Sequence, residues 1–205
     1  MDYTYNEKPI IEVFNEFALK TKRQIFYTEN QLQETKLLQS AMTKRTLYIP
    51  DKNGEQIYLI GYHNPKALGN NDLYFGSFFP LSISNEKTLS IRKRFFFDNL
   101  NPFKKDTFKL DNHYFDSQTI IKGNDKNIVK TVLSHYSVQT AILDSLHLAD
   151  DINAGINCVN IDFIPEFHNK SNFGIFTKSK WVTDFEVLEI LLKNIRKINS
   201  SLIGK

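Results

Sequence analysis

Apolar residues recur at helical steps near the start of the chain. Ile10, Phe14, Phe17, Thr21 and Ile25 follow one another every three or four positions, behind Pro9, which suits a first helical turn. Between them Glu12, Glu16, Lys20, Lys22 and Arg23 make an ordinary solvated face. A weaker run with Leu32, Leu37, Leu38, Ala41 and Met42 extends the helical reading, so residues 1–45 are expected to form a helical N-terminal arm. Residues 46–205 then form the sheet-and-helix body of one domain.

From residue 46 the period falls to two. Thr46–Pro50 and Gln56–Tyr62 flank Asp51-Lys52-Asn53-Gly54, and Asn-Gly is a strong hairpin signal. A second hairpin is expected to pair 73–83 with 88–97 across Ser84-Asn85-Glu86-Lys87. Its return strand sets Leu89, Ile91 and Phe95 against Ser90, Arg92 and Arg94. Thr119–Lys122 reads as a short strand ended by Gly123. The alternation is cleanest over 158–164, where Val159, Ile161 and Phe163 oppose Cys158, Asn160, Asp162 and Ile164. Pro165 ends that strand, and Phe173–Thr177 returns antiparallel.

Two helices are predicted in the middle of the chain. One is capped by Asn124 or Asp125 and carries Ile128, Val129, Val132 and Leu133; the other runs over 138–148 with Val138, Ala141, Ile142 and Leu146 inward. The last helix has the clearest pattern. Thr183-Asp184-Phe185-Glu186 reads as a capping box, and Leu188, Leu191, Ile195, Ile198 and Leu202 form a stripe behind it. Late positive charges at Lys193, Arg196 and Lys197 favour the helix dipole. The class is α+β: mainly antiparallel hairpins packed by the N-terminal arm, two middle helices and a long C-terminal amphipathic helix.

Composition adds limits rather than a function. The chain has 205 residues, 41% of them hydrophobic and 24% charged, which suffices for a buried core. The 17 Phe and 9 Tyr suit a pleated surface. A net charge of +3 is too small to imply nucleic acid or a membrane. Lys far outnumbers Arg and Asn is frequent, the usage of an AT-rich bacterial genome. The single Cys158 excludes an internal disulfide. Residues 1–7 lack the charge and apolar core of a signal peptide, and no apolar run spans a bilayer, so a soluble cytoplasmic chain is expected.

Motif chemistry is sparse. The eight glycines are dispersed, and Gly123-Asn124-Asp125-Lys126 is a turn with a cap rather than a phosphate loop. His63, His113, His135, His147 and His168 include no zinc-helix spacing, and no Gly-x-Ser-x-Gly elbow occurs. Cys158 reads as a structural thiol. Asp162, Glu166 and His168, at the end of the 158–164 strand, are the one cluster that suggests a divalent metal or acid–base work. The competing account of them is a polar strand face running into a solvated loop. Arg92-Lys93-Arg94-Phe95-Phe96-Phe97, with Lys104 and Lys105, has the basic and aromatic makeup that holds single strands. Against that, the phenylalanines are needed for the core, and Asp98, Asp106 and Asp111 dilute the charge.

From Leu110 onward the order is Leu-Asp-x3-Phe-x-Ser-x-Thr-Ile, then Asn124-Asp125, a helix ending at Leu133-Ser134, the 159–163 strand, Asn172-Phe173-Gly174-Ile175-Phe176, and Phe185-Glu186. This C-terminal half resembles a bacterial domain family of unknown function whose members often follow a pair of membrane spans. The chain departs from it in having no such spans and in Ser134-His135-Tyr136 where the family has Thr-Pro. The resemblance supports the architecture and brings no activity.

The expected function is a non-catalytic interaction or scaffold domain, with no catalytic, cofactor or metal residue assigned and no cofactor. Its partner is unspecified, a protein or a second copy being the class considered. The alternative is a metal-assisted hydrolase using Asp162, Glu166 and His168; single-stranded nucleic-acid binding ranks third.

Overall fold

Adjacent residues in an extended strand point to opposite faces, and here the central strands of one sheet are buried on both faces. The computed structural model describes residues 9–32, 42–52, 55–65, 72–99 and 107–203. The strands are β1 (Phe26–Leu32), β2 (Met42–Pro50), β3 (Tyr58–Asn64), β4 (Asp72–Leu81), β5 (Leu89–Lys93), β6 (Thr119–Gly123), β7 (Ile152–Ile156) and β8 (Ser171–Thr177). The helices are α1 (Ile10–Thr21), α2 (His113–Gln118), α3 (Lys126–Leu133), α4 (Tyr136–Leu146) and α5 (Phe185–Ile203). The strands form one eight-stranded sheet in the order β1-β2-β3-β4-β8-β7-β5-β6, antiparallel throughout. The fold is α+β.

One face carries the helices. Leu47, Leu59, Phe75, Ile91, Ala154 and Ile175 of the sheet share a core with Phe14 and Phe17 of α1, Ile142 of α4, and Leu188, Leu191, Ile195 and Ile198 of α5. The opposite face holds Tyr58, Ile60, Tyr74, Phe78 and Phe176, covered by Ile161, Ile164 and Phe167 from the segment after β7. Gly174 lies opposite Phe78 in the register, and a Cβ there would collide with the Phe78 ring. That gap lets Phe78 stack on Phe176 at 5.9 Å.

Five sequence expectations need correction. The helical arm stops at Thr21, where Lys22 takes a left-handed conformation (φ 53°) and the chain turns into β1. Leu32 and Met42 face each other as strand partners, and Leu37, Leu38 and Ala41 lie outside the described residues. Phe26 stacks on Tyr48 at 4.5 Å and Thr28 meets Thr46, so cross-strand pairs override the weak helical pattern.

The 73–83/88–97 hairpin is not formed. Both strands exist, but β4 pairs with β3 and β8, and β5 with β6 and β7. The strand expected over 158–164 is a turn-rich segment leading into a 3₁₀ turn at Pro165–Phe167, and the strand before it is β7. Ile161 and Ile164 are buried as expected of apolar residues, but from a loop draped on the sheet. The α5 cap is Asp184 rather than Thr183: its carboxylate accepts from the Glu186 and Val187 amides at 2.8 and 3.2 Å.

Finally, the phenylalanines after β5 are not core. Asp98 takes a bidentate Arg92 and the Phe95 amide, which folds the chain into a 3₁₀ turn over Phe96–Asn99. Phe96 and Phe97 are left 75% and 77% exposed.

A buried ion network ties the helical face to the first hairpin. The Asp51 side chain, at the end of β2, is fully buried and accepts from the Arg23 guanidinium at 3.2 Å and the Arg196 Nη2 at 2.7 Å. Arg23, itself 2% exposed, also donates to Glu189 at 2.5 Å. Two cations and two anions therefore join the end of α1, the β2–β3 turn and α5. Burial raises the Asp51 carboxyl, but hydrogen bonds from Arg196, the Lys52 amide and Arg23 outweigh it and hold it below the ordinary carboxylate range. Its contribution is thus present above the ordinary Asp value and is lost as pH falls through the lower folded value. Asp51→Ala removes the shared acceptor of Arg23 and Arg196, leaving the buried Arg23 with Glu189 alone, and urea denaturation at pH 7 should show a loss of about 3 kcal/mol. The difference between the wild type and Asp51→Ala should narrow as the pH is taken below about 4.

Candidate functional site

The face opposite the helices carries a cleft of about 520 Å³ at the end of the sheet. Lys44 comes from β2, Tyr62 from β3, and Asp72, Leu73 and Tyr74 from β4. Cys158, Val159, Asn160 and Phe163 come from the segment after β7, and Lys178 follows β8 directly. Register explains the grouping. Tyr62 is paired with both Thr46 and Tyr74, so Lys44, two residues from Thr46, lies on the same face as the two rings.

The aromatic wall is a stack of three rings. Tyr62 lies 5.1 Å from Tyr74 (interplanar 15°) and 5.5 Å from Phe163 (28°). The Tyr74 hydroxyl donates to the Asn160 carbonyl, which binds the draped segment to the sheet. Burial, then the Tyr62 and acidic neighbours, push the Tyr74 hydroxyl far above its ordinary value, so it stays protonated. Lys44 Nζ sits 5.6 Å over the Tyr62 ring. Lys178 Nζ donates to the Cys158 carbonyl at 3.0 Å and lies 5.6 Å over Phe176. Among the described residues neither ammonium pairs with a carboxylate.

Asn157 fixes the start of the draped segment. Its φ of 52° turns the chain out of β7, a conformation Asn tolerates better than most residues. Its amide donates to Lys87 O at 2.8 Å and Ser171 Oγ at 3.0 Å, and its carbonyl oxygen accepts from the Asn172 amide at 2.9 Å. Cys158 then turns inward and donates to Leu89 O at 3.0 Å. A Cβ on Gly155 would collide with that carbonyl and with the sulfur, so the glycine makes room for the thiol. Burial pushes the thiol up to about 11, against a smaller lowering by Lys178. The structural reading of Cys158 fits this environment.

The residues singled out in the sequence do not build the cleft. Asp162 and His168 are exposed, and Glu166 is half-buried beside Tyr48 and Tyr58, whose hydroxyls it helps to raise after burial. Among the described residues no three His, Cys, Asp or Glu side chains come together to hold a metal ion. Arg92 is committed to Asp98, Lys93 to Asp150 at 2.7 Å, and Arg94 to the carbonyls of Asp116 and Thr119. Lys104 and Lys105 lie outside the described residues. The cleft residues Lys44, Tyr62, Tyr74 and Lys178 were not singled out from sequence. Only the first hairpin's register offered a signal, since it sets Lys44 and Tyr62 diagonally on one face.

A smaller pocket of about 310 Å³ across the Leu73 position is lined by Ile10, Arg45, His63, Lys180 and Trp181. Burial and then Arg45 hold His63 below its ordinary value, so it is neutral at pH 7. Compared with family models, curated proteins and solved structures, the chain matches none. Among the described residues no helix is long and apolar enough to cross a membrane.

Two outcomes follow from this geometry. Asn157→Ala removes the clamp and should cost about 2 kcal/mol in urea denaturation, while Asn157→Gly, which relieves only the backbone, should restore little of it. Cys158 should react with a disulfide reagent at pH 8 more than about tenfold slower in the folded chain than in urea, since its thiolate is scarce there. Equal rates would show the thiol to be open.

Proposed function

We propose that this chain is a non-catalytic binding domain whose ligand seats in the cleft between the β2–β4 end of the sheet and residues 158–163. The supporting observation is the joining of a three-ring stack to two ammonium groups that, among the described residues, pair with no carboxylate, in a concave site of about 520 Å³. Sites of roughly 300–1,000 Å³ suit small molecules. The groups lining it favour binding over turnover, since the Cys158 thiol and Tyr74 hydroxyl are both held protonated and no histidine lines it.

The other readings have less support. The hydrolase reading needs Asp162, Glu166 and His168 to converge, and two of them face solvent. The nucleic-acid reading needs Arg92 and Arg94 as free cations, and both are engaged within the chain. A cytoplasmic location and kinship with the bacterial family of unknown function remain our proposals, resting on sequence features alone.

A ligand-observed NMR screen of small aromatic compounds tests the reading. Hits should bind the wild type and be lost by at least about fivefold in Phe163→Ala, whose folding is checked by circular dichroism. Hits that bind both proteins equally would place binding elsewhere.

A further inference from the structure

We infer that the cleft selects a planar aromatic ring carrying an anionic group, such as a phosphate or carboxylate. This inference rests on the binding reading above and names its ligand class.

Four features of the site point the same way. The ring stack offers a flat apolar wall, and aromatic or heteroaromatic ligands gain most from such a wall because every ring has a π-face. The two ammonium groups enter from opposite sides of it, Lys44 from β2 and Lys178 from the end of β8. Each has three donors, and Lys178 spends one on the Cys158 carbonyl, so donors remain for an anion. Among the described residues lining the cleft, two cations, Lys44 and Lys178, stand against one carboxylate, Asp72, so the charge balance of the lining is positive.

The alternatives fit less well. A cationic ring would meet two lysines where it needs carboxylates. A neutral ring would leave both ammonium groups to be partly desolvated without compensation. An extended single strand requires a basic track leading away from the cleft, and the basic segment nearest that description, Arg92–Arg94, is tied up by Asp98 and two carbonyls.

Matched pairs of probes test the class. AMP is compared with adenosine, and indole-3-acetate with indole-3-acetamide, by calorimetry or NMR titration on the full chain. The anion of at least one pair should bind roughly tenfold tighter than its neutral partner. Lys44→Gln and Lys178→Gln should each remove most of that difference, weakening the anion far more than the neutral compound, with the folding of each variant checked by circular dichroism. Inorganic phosphate alone should compete only weakly, because it lacks the ring.

The inference is overturned if neither anion binds below about 1 mM, or if anion and neutral partner bind alike. In the second case, loss of both in Phe163→Ala keeps the cleft as the binding site while the anionic class falls. An eight-nucleotide single strand binding more than about tenfold tighter than AMP would assign the face to nucleic acid instead.

Discussion

The pairing of β4 with β8, from Phe75↔Thr177 to Leu81↔Ser171, is the contact on which the rest of the structure depends. It inserts β8 and β7 between the first four strands and β5–β6, and so makes one sheet of two halves. It also decides what covers the second face. The chain between β7 and β8 must leave the sheet and return to it, and it does so over Tyr58, Tyr74 and Phe78. The close pairing is possible because Gly174 gives the Phe78 ring room. The cleft is the part of that face which the draped segment leaves open.

The two faces are secured by different physics. On the helical side a large apolar core is pinned at one edge by Arg23, Asp51, Glu189 and Arg196. Burying such charges gains little net stability, but removing one member is costly, so the network fixes how α1, the first hairpin and α5 meet. On the other side no α-helix among the described residues covers the sheet, and order comes from stacked rings, the Tyr74–Asn160 bond and the Asn157 clamp. Rings held in this way are already positioned before a ligand arrives, which reduces the ordering cost of binding.

The sequence made some of this legible. Periodicity located α1, α3, α4 and α5, and Asp125 and Asp184 both cap helices in segments where caps were expected. The first hairpin was also legible, because its strands are near in sequence and turn chemistry marks them, and β6 showed as a short apolar run ended by Gly123. Strand insertion was not. Nothing in residues 82–88 signals that β8, some 90 positions later, takes the partner that β5 was expected to provide. Period-two alternation misled at 158–164 because a loop lying on an aromatic face also buries Ile161 and Ile164 while exposing Asp162. The site was least legible, since Lys44, Tyr62 and Tyr74 come from three strands, Lys178 follows a fourth, and they meet only through register. The acidic cluster looked chemical in sequence because its members are close along the chain, whereas in space they point to solvent and to Tyr58.

The central claim is that ligand recognition belongs to the aromatic face at the β2–β4 end. Chemical-shift mapping on isotope-labelled protein titrated with AMP tests it most directly. The account predicts perturbations confined to Lys44, Tyr62, Leu73, Tyr74, residues 158–163 and Lys178, saturating together. Perturbations centred instead on Ile10, Lys180 and Trp181, on the α2–α4 surface, or on Phe95–Phe97, or no perturbation by either AMP or indole-3-acetate at millimolar concentration, would contradict it.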